Sequence, residues 1–79
     1  MESLIKAIPG KYRIIKITTS YKVAQRRLMT LGIFEGDEIE LVKSSPGPII
    51  IEKKGTRIGI AQDLASCILV ENISENKKQ

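Results

Sequence analysis

The sequence predicts a mainly β fold: a small, partly open β-barrel with one short helix inserted after the first strand and a helical turn before the last strand. Three observations carry this. At 79 residues the chain is near the size at which only about 60 % of the unfolded surface is buried, so it holds one small core. That core must be mostly Ile, Leu and Val, because tryptophan is absent and Tyr12, Tyr21 and Phe34 are the only aromatics, and such a composition favours strands. The apolar residues also come in short runs separated by Gly, Pro and Ser, the spacing of short strands.

Residues 11–20, "KYRIIKITTS", form the first strand, with Tyr12, Ile14 and Lys16 on one face and Arg13, Ile15 and Ile17 on the other, an imperfect alternation. Pro9 and Gly10 mark the turn before it. From Tyr21 to Leu31 the period changes: Ala24, Leu28 and Leu31 fall on one stripe at about 100° per residue, the pattern of a short amphipathic helix. Ser20 or Thr19 is its expected N-cap. At its other end, Gly32 in a left-handed conformation would let Ile33 fold back onto Leu28 in a Schellman motif, and Arg27 complements the negative pole.

Glu35 and Gly36 turn the chain into "DEIELVKS", residues 37–44, where Ile39 and Leu41 alternate with Glu38, Glu40 and Val42. "SSPGP" is a loop, "IIIEKK" a strand, and Lys54 with Gly55 a tight connection into "TRIGIA". Residues 62–66 make one helical turn and "CILVEN" the last strand. Residues 1–73 therefore form a single domain and 74–79 a mobile polar tail. An exposed edge strand would support a homo-oligomer.

Composition narrows the function. No apolar run approaches the roughly 20 residues of a membrane span, and the start, with its acidic second residue, is unlike a secretory signal, so a cytoplasmic location is expected. The formal charge of +4 is uneven: residues 1–34 carry a net +6, residues 35–79 a net −2. Such a chain suits an acidic protein partner better than nucleic acid, whose binders concentrate their basic residues more. There is no histidine, the usual acid, base and metal ligand near neutral pH. Cys67 has no cysteine or histidine partner and reads as a small core residue. Glu35, Asp37, Glu38 and Glu40 read as a solvated face, since successive strand residues point to opposite sides and cannot converge on one ion. No enzyme activity, cofactor or metal site is expected, and no stable nucleic-acid binding.

The ordered motifs resemble a known family. Arg26 and Arg27 followed by Leu28, then Leu31 to Ile33 with Gly36, Gly47 to Ile49, Gly55, Arg57 to Ile60, and Ala65, Ile68 and Val70 are similar to the FeoA family of small accessory proteins of bacterial ferrous iron transport. The resemblance runs from about residue 4 to residue 71. It implies an SH3-like barrel, a family-level link to transition metal ion binding, and a role beside FeoB, the membrane ferrous transporter whose cytosolic part is a G protein-like GTPase domain. The chain would then be peripheral to the membrane only through that partner. The same fold is similar to the C-terminal domain of iron-dependent repressors, so a small-barrel nucleic-acid-binding or regulator-type interaction module is the alternative. Family members usually carry proline where Glu35 stands, and often arginine at the position of Ala61. Ala24, Leu28, Leu31, Gly32, Ile33 and Gly36 are expected to serve as core and cap, and Arg26, Arg27 and Met29 as a surface that docks a partner.

Overall fold

The computed structural model describes residues 1–73, and the tail expected at 74–79 lies outside them. Six strands form one antiparallel sheet: β1 (Glu2–Ser3), β2 (Gly10–Ile17), β3 (Glu38–Lys43), β4 (Ile49–Lys53), β5 (Thr56–Ile60) and β6 (Ile68–Asn72). A 3-10 turn (Leu4–Lys6) follows β1, helix α1 (Lys22–Thr30) follows β2, and the single turn α2 (Gln62–Ala65) precedes β6. Their order across the sheet is β1-β6-β2-β3-β4-β5, so the sheet curls without closing, an SH3-like arrangement. One strand more than expected is present, because the two-residue β1 has no pattern of its own and exists by pairing with β6.

Two single-residue bulges shape the curl. On β2 the register against β6 slips between Ile14 and Lys16, and on β3 the register against β4 slips between Leu41 and Lys43. An extra residue increases the local twist and reverses which face later side chains point to. The first slip explains the imperfect alternation of β2: Tyr12 and Ile14 are buried, but Lys16, expected on the same face, is exposed.

The core is almost entirely aliphatic. Ile14, Leu41, Ile49, Ile51, Ile60, Ile68 and Val70 line the inner face of the sheet; Leu28, Ile33 and Leu64 contribute from α1, its exit and α2. Tyr12 is the one buried aromatic, and its hydroxyl donates to the Ile8 carbonyl at 2.7 Å, which satisfies its polar tip. Cys67 is half-buried rather than in the core. Ala65, two residues before it, and Ile68, the next residue, take the inward positions, and the thiol lies 3.5 Å from the Asp63 carbonyl.

The tight β4–β5 connection has Lys54 at φ 51° and Gly55 at φ 85°, the two left-handed residues of a type I′ turn. Charged pairs cross the outer surface. Arg13 faces Glu38 with a 2.6 Å ion pair, and Lys11 is the register partner of Glu40. The basic and acidic halves of the sequence therefore interleave on the sheet instead of forming two separate surfaces.

Candidate functional site

Interleaving on the sheet leaves the basic surplus on α1. The helix carries Lys22, Arg26 and Arg27 and no acid, and none of the three has an ion-pair partner among the described residues. At about 100° per residue, Ala24, Leu28 and Leu31 face the sheet; Leu28 is fully buried, Ala24 and Leu31 partly so. Arg26 is central on the opposite face, with Met29 about 60° to one side and Arg27 about 100° to the other. Val23 and Met29 are 71 % and 59 % exposed.

Of the three residues expected to dock a partner, Met29 and Arg27 thus line two different open clefts. One, of about 320 Å³, lies between α1 and the chain after it, and is lined by Ile17, Gln25, Met29, Phe34 and Glu35 over a floor of Leu28 and Ile33. The other, also about 320 Å³, is formed by Tyr21, Val23, Ala24 and Arg27 against Asp63 and Leu64 of α2. Arg26 stands on the ridge between them. Tyr21, Val23 and Phe34 are exposed apolar residues that the sequence reading did not assign to this surface; Val23 is visible only once the helical arc is drawn relative to Arg26.

Both ends of the helix are set locally. Its N-cap position is Tyr21, with no side-chain cap, so neither Ser20 nor Thr19 fills that role. The helix starts a residue too late for Ser20. Thr19 instead accepts a hydrogen bond from the Tyr21 N–H at 3.1 Å through its hydroxyl, and from the Gln25 side chain at 2.9 Å through its carbonyl. At the C-terminus the Ile33 N–H donates to the Leu28 carbonyl and the Gly32 N–H to the Met29 carbonyl, each at 2.9 Å, with Gly32 at φ 81°. This is the Schellman pairing, and it carries Ile33 into the core beside Leu28.

Of the four acids after the helix, Glu35, Glu38 and Glu40 are exposed, whereas Asp37 is half-buried and acts as a fastening. Asp37 Oδ2 accepts from the Phe34 N–H and from Lys53 Nζ, both at 2.8 Å; Lys53 Nζ also donates to the Gly32 carbonyl at 2.5 Å and lies 5.3 Å from the Phe34 ring centre. The ion pair is four-fifths buried on both sides. Gly36, at φ 94°, donates its N–H to the Ile14 carbonyl at 2.7 Å. Glu35 accepts from the Ile17 N–H at 2.9 Å, giving a donor at the end of β2 its partner. Glu35→Ala should cost about 0.5–1 kcal/mol, the net worth of one exposed hydrogen bond; a denaturant series would check this, and unchanged stability would show that water replaces the carboxylate without loss.

No group of three carboxylate, thiol or imidazole side chains among the described residues is placed to hold a metal ion. No helix among them is long and apolar enough to cross a membrane.

Comparison with known proteins agrees with this geometry. The chain is 35 % identical over an alignment 81 positions long to "Putative Fe(2+) transport protein A" of Methanocaldococcus jannaschii, covering 99 % of each. The solution structure of a FeoA-like protein from Clostridium acetobutylicum superposes with a TM-score of 0.79 at 30 % identity, covering 99 % of this chain and 93 % of that one. A cadmium-bound structure of ScaR shares the fold, with a TM-score of 0.82 at 24 % identity, over 92 % of this chain and 35 % of its own. The FeoA domain profile matches residues 7–72, spanning every strand except β1 together with the helix and fastened turn just described, and the chain belongs to the FeoA family.

Proposed function

We propose that this protein is a non-enzymatic accessory protein of ferrous iron uptake that works in the cytoplasm by contacting the cytosolic part of a FeoB-like transporter through the outer face of α1. One observation carries the reading: α1 presents three cations without an ion-pair partner among the described residues, together with exposed Val23 and Met29. Arg and Met are enriched in protein interfaces, and a cationic surface attracts an acidic partner. The name of the Methanocaldococcus relative supports iron transport as the setting. The Schellman cap and the Asp37–Lys53 pair hold the flanks of the surface, so that little ordering cost is left for association.

Arg26→Glu combined with Met29→Ala tests the surface. Both side chains are exposed, so the fold should keep its thermal midpoint while affinity for the transporter's GTP-binding domain drops at least about tenfold, or roughly 1.4 kcal/mol. Unchanged affinity in a folded double variant would remove α1 from the interface.

A further inference from the structure

The sheet ends on β5, whose outer edge has no strand beside it among the described residues. The turn at Lys54–Gly55 links Lys53 and Thr56 as a hydrogen-bonded pair, since a β-turn joins the first C=O to the fourth N–H. Pairs alternate along an antiparallel ladder, so Ile51/Ile58 and Ile49/Ile60 are hydrogen-bonded as well. Arg57 and Gly59 therefore turn their N–H and C=O groups away from β4. Native sheets protect such an edge with proline, a charged side chain, a bulge or a covering segment. β5 has neither proline nor bulge, its one charge, Arg57, already lies 3.6 Å from Glu52, and the sheet face over Gly59 is open, with nothing within 4 Å of where a Cβ would stand.

We propose that β5 pairs with β5 of a second copy of this chain, antiparallel about a two-fold axis at Ile58. A C2 contact must be self-complementary, and this register is. Arg57 of each copy exchanges both backbone hydrogen bonds with Gly59 of the other, using all four outward groups. Ile58, half-buried in one copy, meets itself in a close non-hydrogen-bonded pair. An axis at Arg57 would set two like charges directly opposite, which is destabilising, and an axis at Gly59 would move Arg57 beyond the end of the strand.

Side-chain charge agrees with the same register. Each arginine lies over a glycine, and Glu52, 3.6 Å from Arg57 on the neighbouring strand, offsets the charge that the two arginines bring together.

Sedimentation equilibrium of the full chain, up to about 1 mM to reach a weak contact, tests the proposal. The average mass should climb with concentration toward twice the 8.8 kDa of one chain, and the Arg57 and Gly59 amides should exchange with solvent more slowly as it climbs. Gly59→Pro removes an outward N–H without touching the β4 ladder, and Gly59→Lys sets a cation opposite Arg57; each should hold the protein at the single-chain mass with unchanged circular dichroism. A single-chain mass for the wild type throughout would overturn the proposal. So would a dimer that survives in either folded variant, or one whose Arg57 and Gly59 amides exchange as fast as in the monomer.

Discussion

Replacing Leu28 with alanine lowers the stability of the protein by about 2–5 kcal/mol, the range for truncating a fully buried leucine. Leu28 is 1 % exposed and lies where the helix, its exit and the sheet meet. Its side chain is the only fully buried one that α1 contributes, so the cavity falls at the attachment of the helix, and the lost contacts are shared with Ile33. Its backbone carbonyl remains the acceptor for the Ile33 N–H, so the cap can re-form even as the packing weakens. Chemical denaturation provides the measurement. A loss below about 1 kcal/mol would mean that the neighbouring side chains collapse into the space, and that α1 is held mainly by its flanking turns.

Asp37→Ala should cost about 2–3 kcal/mol, placing it next in size. The substitution leaves the Phe34 N–H and one direction of the Lys53 ammonium without an acceptor. Hydrogen bonds to a charged group contribute about 1.5–3 kcal/mol each when buried, and the pair's residual exposure of about a fifth moderates the sum. Lys53→Met separates the two contributions: if the Asp37–Lys53 contact carries the effect, the double variant should lose clearly less than the two single losses added together. Additive losses would show that Asp37 acts through the Phe34 turn alone. In either case the segment 32–37 should loosen, seen as faster amide exchange at Gly36 and Ile33.

The features legible from sequence are those in which one residue type answers one local need. Gly32 followed by Ile33 after a helical stripe specifies a left-handed cap and an apolar return contact, and Lys54–Gly55 between two β-branched runs specifies a tight hairpin. The stripe Ala24, Leu28 and Leu31 follows from helical period alone. Where the reading failed, the deciding partner lay far along the chain. β1 exists through pairing with β6, some 67 residues later, and the bulge at Ile15 is visible only against that same strand. Asp37 looked like one more solvated carboxylate because Lys53, 16 residues on, belongs to another strand. Cys67 was assigned inward by the habit of its residue type, whereas the end of α2 turns Ala65 and Ile68 inward instead. The division of Arg27 from Met29 could have been drawn from helical angles beforehand; the two clefts that flank them could not, since each needs a wall from outside the helix.

The role assigned to α1 leads to a definite expectation about regulation. A protein that binds a GTP-binding domain can bias it only to the extent that it distinguishes its nucleotide states. The most direct test is calorimetric titration of the purified chain into the cytosolic domain of its own organism's ferrous transporter, in the nucleotide-free, GDP and GTP-analogue states. Saturable binding whose affinity differs between those states, and which weakens as salt is raised, is the predicted result. Absence of binding in all three states would contradict the proposed contact.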